Sequence, residues 1–146
     1  MRASRALHRP WAHAPSASKQ FRAYVKRMQD PANRGFLVRE RRTDALVGVI
    51  NLSNIVLGLF RSGYLGYYAF AGFEQRGLMR EGLSAVVRHA FKSMKLHRLE
   101  ANIQPGNAAS IGLARSCGFS KEGYSPRYLK IGGRWRDHER WAILAS

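Results

Sequence analysis

Residues Gly66–Leu83 read GYYAFAGFEQRGLMREGL: an aromatic run, a turn bracketed by Gly72 and Gly77, and the beginning of a helix. The aromatic run, Tyr64 to Ala71, has the composition of a strand. Beyond the turn, Met79, Leu83, Val86, Ala90 and Met94 fall on one helical stripe, which Val87 and Phe91 widen. A strand, a glycine turn and a helix in this order make either an anion site or an ordinary strand-to-helix turn. The first N–H groups of a helix lack internal partners, the dipole places partial positive charge there, and glycine lets a phosphate come close to the backbone. Arg76 and Arg80 flank the turn and offer charge-assisted contacts. The turn is neither GxxxxGK(S/T) nor GxGxxG, so it carries neither the triphosphate nor the dinucleotide fingerprint.

Downstream of Lys95 the period changes to two. Leu99, Ala101 and Ile103 alternate with Arg98, Glu100 and Asn102, as in a strand with one apolar face. Pro105-Gly106 ends it, and Asn107 is placed to cap a short helix that runs to Ser116 and stops at Gly118. Phe119–Ile131 and Arg134–Leu144 read as two strands joined at Gly132-Gly133, a hairpin signal. Upstream, Phe21, Tyr24, Val25 and Met28 recur at helical spacing from Ser18 to Gln29, behind a Ser N-cap, until Asp30-Pro31. Strands follow at Arg34–Glu40 and Ala45–Leu59, joined by the polar turn Arg41-Arg42-Thr43-Asp44. The apolar start of the second, ALVGVINL, predicts burial on both faces. The order is helix, three strands, helix, strand, helix, two strands. It predicts an α/β domain with a mixed sheet, parallel in its strand-helix-strand portion and antiparallel at its ends.

The chain has 146 residues, with 25 Lys and Arg against 9 Asp and Glu, a formal net charge of +16 and a pI near 11.2. At 45% hydrophobic and 11% aromatic it is too apolar for a disordered basic tail, and no run approaches the ~20 apolar residues of a membrane span. Its length suits one domain, residues 1–146. The single cysteine, Cys117, permits no internal disulfide and fits a reducing, cytoplasmic setting. Through Arg42 there are 11 basic and 2 acidic residues, so the amino-terminal third is the most cationic part. The opening MRASRALHRPWAHAPSASK shares its composition with organelle transit peptides, but Pro10 and Pro15 interrupt an amphipathic helix, which favours a lead-in to the domain.

Three blocks, GYYAFAGFEQRGLMREGL, LHRLEANIQPGNAASIGLARSCGFSKEG and YLKIGGRWRDHERWAIL, in this order and spacing, closely resemble the GNAT superfamily of acetyl-CoA-dependent N-acetyltransferases. Within it the resemblance is to the Rim-type branch, the ribosomal-protein-alanine N-acetyltransferases. It implies a mixed, mostly antiparallel sheet with helices on both faces and a central parallel pair splayed into a V at the cofactor cleft. It further implies that the pantetheine arm of acetyl-CoA lies in that opening against Tyr68, Ala69 and Phe70. The pyrophosphate would rest on the turn at Arg76, Gly77, Leu78, Met79 and Arg80. Asn107 matches the family Asn that bonds the cofactor arm, and Ser110 stands where this branch often has a Ser near the thioester sulfur. Two positions depart from the pattern. Glu74 and Met79 replace the first and last residues of the usual turn, so Glu74 must point away from a pyrophosphate, and Ala114 occupies the place of a Tyr that serves many relatives as general acid. The family also has a strand ahead of the region that Leu7 resembles; without it a sheet edge is uncovered and open to pairing in a homodimer.

The chemistry narrows the catalytic candidates. Acetyl transfer needs a neutral amine, and an N-terminal α-amine of pKa ~7.7–8 is partly neutral at pH 7, whereas a Lys amine near ~10.4 is not. A weak base or a water chain therefore suffices. Glu100 and Asn102 share one face of their strand: Glu100 is the candidate proton acceptor, against a reading as an ion-paired surface residue, and Asn102 can position a water. Ser110 can donate to the departing thiolate, against a reading as a helix residue bonding its own backbone. Trp135-Arg136-Asp137-His138 recurs in the branch and reads equally as an Asp–His or Asp–Arg pair fixing the last strand or as a substrate contact. Glu81 suits the helix N-terminus electrostatically. Cys117 with His97 or His138 would make an acyl-accepting nucleophile, but no motif brings them together, and a small buried thiol is the better reading. The five His residues lack ligand spacing, so no metal is expected.

The leading expectation is direct acetyl transfer from acetyl-CoA, in a ternary complex, to a protein N-terminus such as that of a ribosomal protein. The charge suits an acceptor presented among RNA phosphates and argues against a free polyamine. A small neutral or anionic amine stays open as acceptor. An RNA-binding protein that keeps the fold without the chemistry is the alternative, motivated by the charge, Glu74 and Ala114. A nucleotide enzyme is disfavoured by the lack of a Mg²⁺ motif.

Overall fold

A computed structural model of the chain describes residues 18–70 and 77–146. The cationic opening segment, the N-cap of the first helix and the turn residues Glu74 and Arg76 lie outside the described residues. Elements follow in the expected order: α1 (Ser18–Met28), β1 (Arg34–Arg39), β2 (Leu46–Val56), β3 (Ser62–Ala69), α2 (Leu78–Lys92), β4 (Arg98–Ile103), α3 (Ala108–Ser116), β5 (Ser120–Ile131) and β6 (Arg134–Leu144). The described strands form one sheet, ordered β1-β2-β3-β4-β6-β5. Every junction is antiparallel except β3–β4, the pair connected through α2.

α2 buries the stripe read from its sequence, Met79, Leu83, Val86, Val87 and Ala90. It lies against the even-numbered side of β2, where Gly48 matters because a Cβ there would stand 2.6 Å from both Met79 Sδ and the Tyr68 carbonyl oxygen. On β4, Leu99, Ala101 and Ile103 turn to the same core and leave Arg98, Glu100 and Asn102 on the opposite face. α1 covers part of that other face. Its Tyr24 hydroxyl donates to Asn51 Oδ1 of β2 at 2.5 Å, and Met28 packs over Gly35 of β1. Helices thus occupy both faces, and Val47, Gly48, Val49 and Ile50 are all buried.

β2 stops at Val56 rather than at the expected Leu59. Gly58 (φ 71°) and Arg61 (φ 48°) take left-handed backbone conformations past the end of the strand, and Leu59 and Phe60 project into solvent, while Asn54 (φ 50°) sits at an irregularity within β2, between Ser53 and Val56. β3 begins earlier, at Ser62, and ends at Ala69 rather than at Ala71. No helix among the described residues is long and apolar enough to cross a membrane.

Candidate active site

The central feature is the place where the sheet opens. β3 and β4 pair from Ser62↔Arg98 to Leu65↔Ala101, and their ladder ends there. Beyond it, β3 stays with β2 as far as Gly48↔Ala69, while β4 stays with β6 through Asn102↔Arg140 and Ile103↔Glu139. Antiparallel pairing is the stronger per residue, so each strand follows its antiparallel neighbour and the parallel seam parts. The Phe70 N–H donates to the Val47 carbonyl at 2.7 Å. By alternation Tyr68 also faces β2, whereas the backbone groups of Tyr67 and Ala69 turn away from β2, toward the opening. Of the three residues assigned to the pantetheine arm, Ala69 is the one so directed. The Tyr68 side chain lies on the face away from α2, edge-on to Phe70 with ring centroids 6.1 Å apart, and burial pushes its phenol up to about 12.

At one end of this opening stands the N-terminus of α2. Its cap is Gly77, in the left-handed conformation (φ 76°, ψ −2°), which supplies no side-chain bond to the first amides. A Cβ at Gly77 would meet nothing within 4 Å. The N–H groups of Leu78, Met79 and Arg80 have no intrahelical carbonyl to bond and stand at the positive end of a helix of 15 residues. Leu78 and Met79 contribute only backbone here, since Met79 is buried in the core and Leu78 packs against it, while Arg80 is exposed. These residues fit a pyrophosphate. Glu81, in the first helical turn, suits the same dipole.

α3 enters from the other side. Asn107 caps it as its sequence predicts, its Oδ1 accepting the Ser110 N–H at 3.2 Å, which leaves the carboxamide nitrogen as a donor. The Ser110 carbonyl accepts from the Tyr67 hydroxyl at 3.0 Å. Both of these bonds run through the Ser110 backbone. Tyr67 spans the opening from β3 to α3, a role its sequence position hides.

The face away from α2 and α3 carries the expected acceptor-side residues. Glu100 is paired with Arg98 (Nη2–Oε1 3.0 Å), and Tyr64 stands directly across the β3–β4 ladder from it. Burial first, and Glu100 second, push the Tyr64 phenol up. Arg98 also grips Glu122 of β5 with both guanidinium nitrogens, one bond being 3.1 Å, and this holds the Glu122 carboxyl below the usual carboxylate range. Asn102 lies one residue beyond the last β3–β4 pair, beside Arg140 of β6. The structure brings Glu100 and Asn102 to one face of the sheet; Ser110 and Asn107 belong to the other face, with α3.

Asp137 corrects one expectation. Among the described residues it forms no ion pair with His138 or with an Arg side chain. Its Oδ2 accepts from the Tyr124 hydroxyl at 2.6 Å and its Oδ1 from the Arg127 N–H at 2.8 Å, across a bulge in β5 where Arg127 has φ 46°. Adjacent strand residues point to opposite faces, so Asp137 and His138 cannot meet. Cys117 is half-buried between α2 and α3 rather than fully buried, with its Sγ 3.6 Å from Ser84 Oγ and 3.7 Å from the Arg80 carbonyl oxygen. His138 lies on the other face of the sheet, so the two form no nucleophilic pair. Among the described residues no group of three or more His, Cys, Asp or Glu could hold a metal ion.

The family described as the acetyltransferase (GNAT) domain matches the amino-acid sequence over residues 1–120. The chain belongs to the GNAT family. As a GNAT protein it is an N-acetyltransferase, with acetyl-CoA as its cosubstrate. It is 33% identical over 126 residues to the probable N-acetyltransferase YjcK of Bacillus subtilis, covering 86% of this chain and 70% of that one. It is 44% identical over 98 residues to the [ribosomal protein uS5]-alanine N-acetyltransferase of Escherichia coli, covering 67% of this chain and half of that protein. The structure superposes with a TM-score of 0.86 on Mycobacterium smegmatis RimJ in complex with CoA-disulfide, at 26% identity, covering 99% of this chain and 73% of that one.

Proposed function

We propose that this GNAT protein transfers acetyl from acetyl-CoA to the α-amine of a protein or peptide N-terminus, by direct attack in a ternary complex. The observation that carries the reading is the parting of β3 from β4 after Leu65 and Ala101, flanked by the glycine-capped N-terminus of α2. In this reading the cosubstrate supplies the acetyl thioester. The α2 amides at Leu78, Met79 and Arg80, with Arg76 before them, hold its pyrophosphate; Ala69, with Tyr68 and Phe70 beside it, lines the arm. The Asn107 carboxamide donates to the arm, and the Ser110 hydroxyl, on the first turn of α3, stabilises the thiolate that leaves.

On the acceptor side Asn102 positions a water and Glu100 accepts the proton. An α-amine loses its proton near pH ~8 and is already partly neutral at pH 7, so the step asks only for a weak base or a water chain. A ribosomal-protein N-terminus is the favoured acceptor. The similarity to the uS5-alanine acetyltransferase supports it, as does the +16 charge, which suits a substrate set among RNA phosphates. The same charge favours RNA contact through the basic surface. β1, an edge of the described sheet with Leu37 exposed, is where a second copy would pair in a homodimer.

Calorimetric titration with acetyl-CoA, followed by mass spectrometry of a peptide panel incubated with labelled acetyl-CoA, tests the reading. Saturable binding and label at peptide α-amines are expected. Steeply salt-dependent RNA binding with no acetyl transfer overturns it. Ser110→Ala and Glu100→Gln test the assigned roles: each lowers kcat by about tenfold or more, and unchanged turnover in both removes them from the mechanism.

A further inference from the structure

The stretch that turns β5 back into β6, GYSPRYLKIGGRWR (Gly123–Arg136), holds four basic residues, three aromatics and no acid. β5 is the last strand of the described sheet, and the ribbon begins where β4 ends. Ile103, the last residue of β4, pairs with Glu139, so from His138 back to Arg134 β6 pairs with β5 alone among the described strands. The carboxylates at its base are taken. Glu122 is held by Arg98, Asp137 by the Tyr124 hydroxyl and the Arg127 N–H, and Glu139 by Lys121 (Nζ–Oε2 3.6 Å) and the Trp141 indole N–H (3.0 Å). Lys130 and Arg134 are exposed and form no ion pair among the described residues.

Rings stand among these cations. Trp135 is 60% exposed and lies directly opposite Lys130 in the ladder, so the two share a face. Alternation puts Asp137 and Glu139 on that face as well, and Tyr124, 48% exposed, is opposite Glu139. Trp135 and Tyr124 therefore present two ring surfaces on one side of the ribbon, separated along it by roughly 13 Å, the rise of four strand residues. A Trp packed into a core contributes more apolar burial than almost any other side chain, yet this one keeps much of its ring in water between Arg134 and Arg136. One exposed apolar residue is ordinary on a protein surface. Two rings interleaved with unpaired cations on one edge ribbon make the surface on which proteins hold single strands.

We propose that this edge ribbon binds RNA at unpaired bases, with Trp135 and Tyr124 as the faces on which bases stack and Lys130 and Arg134 as the phosphate contacts. The inference rests on the RNA contact proposed above and gives it a place and a kind of RNA. Cations alone suit any polyanion, a duplex or an acidic protein surface included. The rings decide among these. A base lies flat on a side chain only when it is unstacked, as in a loop or a single strand, whereas a duplex hides its base faces and an acidic peptide brings none. Stacking accepts every base, so the ribbon selects for unpaired RNA rather than for a sequence. RNA, rather than single-stranded DNA, follows from the ribosomal acceptor favoured above.

The test follows the fluorescence anisotropy of a labelled RNA of about 12 nucleotides, single-stranded or annealed to its complement, with the full chain between about 50 and 200 mM salt. The wild type binds the single strand more tightly than the duplex. Trp135→Ala raises the single-strand Kd by about tenfold and leaves duplex and acetyl-CoA affinity unchanged; Trp135→Phe, which keeps a ring, stays within about threefold of the wild type. Replacing Lys130 and Arg134 together by Gln weakens both forms and lowers the single-strand salt slope by about 1.4, whereas the matched replacement of Arg41 and Arg42, in the β1–β2 turn, has less than half that effect. Equal losses from the two double variants, an unchanged single-strand Kd in Trp135→Ala, a preference for the duplex, or readier displacement by polyglutamate than by unlabelled RNA overturns the assignment to this ribbon. A wild-type protein that binds neither RNA at the lowest salt overturns the RNA contact along with it.

Discussion

The Tyr67 hydroxyl donates to the Ser110 carbonyl oxygen at 3.0 Å, joining residues 43 positions apart. The bond links β3, on one side of the sheet opening, to the first turn of α3 on the other. Burial pushes the phenol up to about 12, so Tyr67 keeps its proton throughout the physiological range and acts as a donor. Tyr67 sits on the α2 side of β3 and serves as a strut that sets the distance between Ala69 and Ser110.

Tyr67→Phe removes the strut and leaves the Ser110 carbonyl without this donor. The loss of one buried hydrogen bond costs about 1 kcal/mol, which for a domain of this size lowers Tm by roughly 3 °C. Turnover falls further than stability alone explains, by up to about tenfold in kcat, because Ser110 moves relative to the opening. Thermal melts and steady-state kinetics on the same preparation check both. A variant with an unchanged kcat shows that Tyr67 is only a packing residue.

Asn107 has two separable duties. Its Oδ1 caps α3, and its carboxamide nitrogen is the donor assigned to the cofactor arm. Asn107→Ala forfeits both and costs about 1 kcal/mol of stability, whereas Asn107→Asp keeps the cap, since Asp serves that position as well as Asn does. The expected pattern is a lowered Tm in the alanine variant only, with weakened acetyl-CoA binding in both. Acetyl-CoA affinity at the wild-type level in Asn107→Asp would remove the donor role.

Much of this architecture was legible because its signals are local. The α2 stripe, the period-two pattern of Leu99, Ala101 and Ile103, the Asn107 cap and the Gly132-Gly133 hairpin each depend on neighbours a few residues away. The Tyr67–Ser110 bond, the Arg98–Glu122 pair and the Tyr124–Asp137 bond join residues 43, 24 and 13 apart, and no spacing announces them. Alternation alone excludes an Asp137–His138 pair, since neighbours on a strand face opposite ways. The end of β2 was obscured for another reason. Ile55, Val56, Leu57 and Leu59 look like one continuous strand, but pairing ends at Val56, and the left-handed backbone at Gly58 carries Leu57 and Leu59 away from the sheet.

Gly77 tests the anion site directly. With φ 76° it occupies a conformation that costs a residue bearing a Cβ roughly 1–2 kcal/mol, although no neighbour would touch the added atom. In Gly77→Ala the backbone relieves that strain by turning the first amides of α2. Stability drops by about 1 kcal/mol and the Kd for acetyl-CoA rises by about tenfold or more, measured by calorimetry. A Kd for dephospho-CoA that rises in the same proportion locates the loss at the pyrophosphate.

The hairpin that carries Arg136 is pinned by Asp137, and acid should release it. The Tyr124 hydroxyl first, and the Arg127 N–H second, hold the Asp137 carboxyl below its ordinary value; Arg98 does the same for Glu122. A carboxylate with a lowered folded pKa stabilises the fold fully above the pH at which the unfolded residue ionises, about 4, and loses that contribution as pH falls through the folded value. Tm is therefore flat with respect to these groups from pH 7 down to about 5 and falls steeply below about 4. Asp137→Asn, which retains one acceptor but no charge, has a lower Tm at pH 7 and a shallower acid limb. A limb as steep as that of the wild type would place the acid sensitivity elsewhere and leave Glu122 as the next residue to replace.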